Sequence, residues 1–376
     1  MFHLTSVSAF VFRAPVETPV QTSFGLMRDR PMVLVRVTDT DGNAGWGEAW
    51  CNFPSPGAEH RARLIERILA PLACAEPWAD ATSLYRSLTA RTEILAIQSG
   101  EYGPFAQTIA GIDTAVWDLL ARQQGVPLWR LLGGTEARIR VYASGLNPTH
   151  PERLATQCRD AGHRRFKLKI GFGHERDLDK LVALRRELGD DAALMADANQ
   201  ALTLDEALAL VPRLEPFRLG WLEEPLRADR PWEEWNALRR ACAIPLAAGE
   251  NIAGDAAFDR ALAAGALSVV QPDLAKWGGF SANRPLVARI AAAGLRYCPH
   301  YLGGGIGLLA SGHLLAAAGG EGMLEIDANP NPLRSSLAGA LATVEDGWAD
   351  LGDAPGLGIE VELEALEQWR VAHDYA

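Results

Sequence analysis

The chain has 376 residues, of which 48% are hydrophobic and 22% charged, and it carries a formal net charge of −11 at pH 7. A surface that acidic repels phosphate backbones, which argues against nucleic acid as a partner, and no apolar run reaches the length of a membrane-spanning helix. The length exceeds one small core and fits a barrel of roughly 250 residues beside a smaller unit.

In chain order, Met1 to Arg13 lacks the basic start and apolar stretch of a signal peptide. Cys51, Cys74, Cys158, Cys242 and Cys298 are odd in number, scattered and without metal-ligand spacing. Reduced thiols in a cytoplasmic protein are therefore expected. Met32 to Val37 reads as an apolar strand, Asp41-Gly42 as a turn and Ala44 to Trp50 as a second strand, which together predict a hairpin. Three helical patterns follow. The clearest runs from about Pro104 to Gln124 and is stopped by Gly125, with Pro127 beyond.

After Gly134, short apolar strands alternate with amphipathic helices. Strand-like segments are Val141–Ser144, Phe166–Ile170, Ala193–Asp197, Trp221–Glu223, Pro245–Glu250, Ser268–Asp273, Leu295–His300 and Met323–Asp327. Helical patterns such as Leu204–Leu214 and Ser281–Ala293 lie between them. Eight such units predict an α/β chain with a TIM-type barrel. A solenoid would share the cadence, but the units show no common residue pattern. The expected division is an α+β cap at 1–128, a barrel at 129–341 and a tail at 342–376 that packs back on the cap.

One ionisable residue recurs at the end of nearly every predicted strand: Lys169, Asp197, Glu223, Glu250, Asp273, His300 and Glu325, spaced 23 to 28 residues apart. The C-terminal ends of barrel strands are where barrel enzymes keep their chemistry. Asp197, Glu223 and Glu250 come from adjacent strands and would repel one another without a cation between them. All-oxygen ligation suits Mg²⁺, with Mn²⁺ as the alternative. Glu224 is the rival for the second position. Lys167 and Lys169 share a strand face, so each lowers the other's pKa; one would act as a neutral base while the other holds a substrate carboxylate. Asp273 beside His300 would fix the imidazole tautomer and make a second base. Glu325 would serve as a protonated acid beside a developing oxyanion.

Lys167-Leu168-Lys169, Asp197-Ala198-Asn199, Glu223-Glu224-Pro225, Gly249-Glu250-Asn251, Asp273 with Lys276-Trp277-Gly278-Gly279, and His300 together resemble the enolase superfamily, most closely its mandelate racemase branch. That resemblance spans nearly the whole chain. It implies a modified TIM barrel, (β/α)7β, under an α+β capping domain. It also implies one Mg²⁺ that stabilises an enediolate after α-proton abstraction. Asp197, Glu223 and Glu250 would be its ligands, Lys169 one base and the His300–Asp273 dyad the other. Lys167 would hold the carboxylate, and Glu325 would assist the oxyanion. Branches that carry a lysine on strand six, where this chain has Asp273, are disfavoured; Lys276 looks like the family's lysine before Gly-Gly. Even-numbered homo-oligomers are common in this family and are expected here.

The expected substrate is a small carboxylic acid, with Asn199, Lys276, Arg28 and Tyr301 as candidate contacts. Dehydration of an acid sugar or related hydroxy acid leads, and Asn329-Pro330-Asn331-Pro332-Leu333 after strand eight resembles members acting on such acids. The runner-up is a racemase, epimerase or lactone cycloisomerase. The cap segments Glu17–Arg30 and Trp50–Ala58 are candidates for specificity, with Arg28 or Arg30 to bind a distal carboxylate. Gly303-Gly304-Gly305 before a helix would seat an anion or simply form a tight turn. A zinc hydrolase is disfavoured, because the chain has no His-x-His. A ligand-binding barrel without activity is disfavoured by the intact set of ligands and bases.

Overall fold

Three antiparallel strands open the computed structural model, which describes residues 1–22, 25–146 and 149–371. β1 (Leu4–Thr22) pairs with β2 (Gly25–Asp39), and β2 pairs with β3 (Ala44–Ala49). The hairpin is as expected, but β1 was not. Pro15 and Pro19 interrupt its alternation, and the register is irregular between Pro15 and Val20. Proline cannot donate to a strand ladder, so it masks a strand in the sequence.

β2 is apolar without alternation because both of its faces are covered. Val33, Val35 and Val37 pack towards the cap helices α1 (Gly57–Leu64), α2 (Ala81–Ser99) and α3 (Tyr102–Gln123). Met32 and Leu34 belong to the core shared with the barrel. α3 lies so close to β3 that a Cβ on Gly45 or Gly47 would strike the carbonyl of Ala115 or Gly111.

The second sheet is a nearly closed parallel barrel. Its strands are β4 (Arg138–Leu146), β5 (Arg165–Lys169), β6 (Ala193–Asp197), β7 (Leu222–Glu223), β8 (Leu246–Ala248), β9 (Val269–Val270), β10 (Arg296–Tyr297) and β11 (Met323–Asp327). They are ordered β10-β9-β8-β7-β6-β5-β4-β11. Seven helices fill the connections: α4 (Pro151–Asp160), α5 (His174–Leu188), α6 (Leu204–Leu214), α7 (Trp232–Ala241), α8 (Asp255–Ala264), α9 (Gly279–Ala292) and α10 (Gly305–Ala318). This is the (β/α)7β arrangement under an α+β cap. β12 (Trp348–Asp350) then pairs antiparallel with β4, and Val371 N donates to Val11 O of the cap at 2.9 Å. Among the described residues no helix is long and apolar enough to cross a membrane, and all five cysteines are free thiols.

Tyr142, Met195, Trp221, Ala247, Val269, Cys298 and Met323 form one buried cluster. Side chains two residues further along a strand share its face, so Met195 is followed by Asp197, Trp221 by Glu223 and Met323 by Glu325. The polar site is therefore laid directly on this apolar layer.

Three expected strands are shorter than their sequence patterns. β8, β9 and β10 end before Glu250, Asp273 and His300, which sit on the turns beyond. Gly249 has φ +155°, and Pro272 and Pro299 precede Asp273 and His300. These residues end the ladder and swing the following side chains over the barrel mouth.

Candidate active site

β5 sends both lysines inward, as their spacing predicts. Lys167 is wholly buried, with its ammonium 2.5 Å from Glu223 Oε1 and 2.7 Å from Glu325 Oε1. Lys169 Nζ lies 2.5 Å from Asp197 Oδ2. Asp197 and Glu223 are register partners on β6 and β7. Glu223 also accepts from Trp221 Nε1 at 2.9 Å and from Gln271 Nε2 at 2.6 Å. Glu250 is 2.8 Å from Lys276 Nζ and 2.9 Å from His300 Nε2. On its other nitrogen, His300 Nδ1 is 2.7 Å from Asp273 Oδ2. Asp273 Oδ1 is fixed by the amides of Ala275 and Lys276. The Asn199 amide reaches both Asp197 Oδ2, at 3.3 Å, and Glu250 Oε1, at 3.5 Å.

These charges overturn two expectations about protonation. Burial works against the Lys167 and Lys169 ammoniums, yet Glu223 and Glu325 around the first and Asp197 beside the second push both lysines above the usual range. Repulsion between two lysines counts for less than the carboxylates that surround them. Burial raises Glu325, but the Lys167 and His300 charges outweigh it and hold the carboxyl at about 2. Its oxygens accept from the Ser144 hydroxyl and from Tyr301 N. Those donors and the two neighbouring cations favour an accepting carboxylate over the expected protonated acid. His300 is also held protonated: burial opposes its charge, and Glu250 and Glu325 reverse that effect. Burial pushes Glu223 up to about 7 and Glu224 above the usual carboxylate range, with neighbouring carboxylates adding to both.

Six carboxylates (Asp197, Glu223, Glu224, Glu250, Asp273 and Glu325) thus face four cationic side chains (Lys167, Lys169, Lys276 and His300). The donors are all oxygen, the set that a hard divalent cation prefers. The residues present fit such an ion. Among the described residues, however, no three His, Cys, Asp or Glu side chains already surround one point; each carboxylate is turned to a protein cation or amide. Glu224 turns away through a positive φ of 40°, and both its oxygens accept from Asn251.

Trp50, Asn52, Phe53, Lys169, Asn199, Gln200, Glu250, Asn251, Lys276, His300 and Leu302 line a cleft of about 240 Å³ at the cap–barrel junction. Two expected substrate contacts lie elsewhere. The Tyr301 ring is buried below its loop, facing Glu48. Arg28 is exposed on β2, outside the cleft lining. Arg30 is 2% exposed and paired with Asp327, which Arg334 shares. Ser23 and Phe24 of the Glu17–Arg30 segment lie outside the described residues. The anion at the Gly303-Gly304-Gly305 turn is the protein's own: Glu48 accepts from Gly304 N at 2.6 Å and from Gly307 N at 3.0 Å.

Sequence reasoning missed Gln271, Gln200 and Glu48, whereas Asn52 falls in the Trp50–Ala58 segment expected to set specificity and lines the cleft with Trp50 and Phe53. Gln271 carried a signal, since it is two residues before Asp273 and shares its face. The others act from loops or from the cap, where no periodicity marks them.

Two family models match: Enolase C-terminal domain-like over residues 151–365, and Mandelate racemase / muconate lactonizing enzyme, N-terminal domain, over residues 6–133. The D-galactarolactone cycloisomerase of Agrobacterium fabrum is 30% identical across 98% of this chain and 99% of its own. The arabinonate dehydratase of Saccharolobus solfataricus is 28% identical over 92% of each. A mandelate racemase/muconate lactonizing enzyme from Bordetella bronchiseptica superposes with a TM-score of 0.93 at 55% identity, covering 98% of this chain and 99% of that one. An enolase from Bradyrhizobium complexed with magnesium and mandelic acid superposes with a TM-score of 0.85 at 30% identity, over 99% of both chains.

Proposed function

Because the chain belongs to the mandelate racemase / muconate lactonizing enzyme family, we propose that it removes the proton α to the carboxylate of an acid sugar and then expels water from the next carbon. The observation that carries this is the convergence of Lys169 and His300 on one cleft with Glu250, each held by its own carboxylate, Asp197 or Asp273.

The α-proton of a carboxylate is very weakly acidic, because its removal leaves a dianion. Asp197, Glu223 and Glu250 would hold Mg²⁺, which would supply electrostatic stabilisation of that charge. Were Asp197 to share its charge with such an ion, it would pull less on the Lys169 proton, and Lys169 would serve as the base. The α C–H bond breaks and its proton passes to Lys169. His300, whose Nδ1 is held by Asp273 at 2.7 Å, gives its Nε2 proton to the β-hydroxyl as the C–O bond breaks, and water leaves. The resulting enol becomes a 2-keto acid. Asn199 and Lys276, which line the cleft, orient the substrate carboxylate, whereas Lys167 is wholly buried and paired with Glu223 and Glu325.

The likeness to a D-galactarolactone cycloisomerase over almost the whole length favours a second reading, in which the leaving group is a ring oxygen and the lactone opens. A panel of aldonic and aldaric acids and their lactones, incubated with Mg²⁺, separates the two. Dehydration lowers product mass by one water and yields a keto acid; cycloisomerisation leaves mass unchanged. No conversion of any panel member would remove acid sugars as the substrate class.

A further inference from the structure

The proposed proton donor His300 belongs to the barrel, yet the segment that carries it is gripped by the cap. His300 begins the turn from β10 to α10. Three successive anchors follow it. Tyr301 N donates to Glu325 Oε2 at 3.1 Å, Leu302 O accepts from Asn52 Nδ2 at 2.5 Å, and Gly304 N donates to Glu48 Oε1 at 2.6 Å. Gly307 N, one turn into α10, donates to Glu48 Oε2 at 3.0 Å. Glu48 and Asn52 both come from the cap, at the end of β3 and just beyond it. Trp50, between them, donates its backbone N–H to Ala275 O, two residues past Asp273. One cap strand thus touches both segments of the dyad.

The turn is built around this carboxylate. Glu48 is 3% exposed. A Cβ on Gly304 would lie 2.8 Å from both Glu48 oxygens, and one on Gly303 would strike the Tyr301 hydroxyl. The glycines are there because the cap side chain and the tyrosine ring come too near for any other residue. An unpaired helix start accepts a carboxylate readily, since its first amides have no partner in the helix.

We propose that Glu48 is a positioning residue for His300: by holding the Gly304 and Gly307 amides it fixes the turn that aims the imidazole at the cleft. The proton-transfer geometry of the barrel is then completed by the cap. This role rests on His300 as the proton donor of the proposed reaction, but the test below needs no substrate, so its failure is distinct from failure of that reaction.

The test compares Glu48→Ala, Glu48→Gln and the unaltered full-length protein. The ring signals of the eight histidines are read by NMR with ¹³C-labelled histidine, and His300→Asn assigns the His300 signal by its loss. Backbone hydrogen exchange is read over residues 301–308. In Glu48→Ala, exchange over that segment rises roughly tenfold or more. The His300 signal moves or broadens while the His150 and His174 signals stay. Glu48→Gln keeps one acceptor and restores part of both readings. Faster exchange with an unchanged His300 signal would overturn the proposal, because Glu48 would then only dock the cap. Unchanged exchange would overturn it too. If Glu48→Ala does not fold, Glu48→Asp and Glu48→Gln carry the same comparison.

Discussion

Asp113 on α3 of the cap and Ser281 on α9 of the barrel are joined by two hydrogen bonds. Asp113 Oδ2 accepts from the Ser281 amide at 3.0 Å, and Oδ1 from its hydroxyl at 2.5 Å. The pair caps α9 from another unit of the molecule, 168 residues away in sequence.

This contact makes a pH-dependent prediction. Burial pushes the Asp113 carboxyl up to about 7, against the pull of the Ser281 bonds. An unfolded aspartate releases its proton at about 3.9. Between those values the folded chain holds a proton that the unfolded chain lacks. Stability from this group is therefore present below about pH 4 and is lost as pH rises to about 7, on the order of 4 kcal/mol in all. Asp113→Asn cannot ionise. Melting curves at pH 5 and pH 8 should show a smaller fall for this variant than for the unaltered chain; equal falls would contradict the shift.

The His300–Asp273 bond at 2.7 Å makes a second. Asp273→Asn keeps the shape and removes the charge that fixes the tautomer. Turnover of the panel substrate should drop by about 10²–10⁴-fold, the usual contribution of a positioned acid or base. KM should change little. A variant with unaltered turnover would remove the dyad from the mechanism.

Mg²⁺ titration by calorimetry separates the rival carboxylates. Asp197→Asn, Glu223→Gln and Glu250→Gln should each weaken binding by about 100-fold or more, whereas Glu224→Gln should cost less than about tenfold. The opposite ranking of Glu223 and Glu224 would transfer the ligand role to Glu224.

Gly47→Ala tests the seating of α3 on β3. Its Cβ would collide with the Gly111 carbonyl, a backbone atom. Overpacking of this kind typically costs about 1–3 kcal/mol, so the midpoint of urea unfolding should fall. An unchanged midpoint would mean that α3 shifts freely.

Much of the barrel was legible because its strands and helices have different periods, and its ionisable residues fall at one phase of each unit. Asp197, Glu223, Glu250, Asp273, His300 and Glu325 were found this way. Residues whose place depends on the meeting of two distant segments were not. Glu48 reads as one more strand residue until α10 is brought against it, and Arg30 looks free until Asp327 is seen beside it. Protonation was misjudged for the same reason. The pair Lys167 and Lys169 is local and visible, but the carboxylates that outweigh their repulsion come from other strands.

The most direct measurement is loss of the α-hydrogen, followed by proton NMR. The protein with Mg²⁺ in D₂O, given the acid-sugar panel, should remove the α-hydrogen signal of at least one acid, leaving deuterium there in any acid recovered and a carbonyl carbon there in the 2-keto acid formed as water leaves. Lys169→Ala and His300→Asn should each slow that loss, and a chelator should stop it. The α-hydrogen retained in every acid, or its loss undiminished in both variants, would contradict proton abstraction at this site.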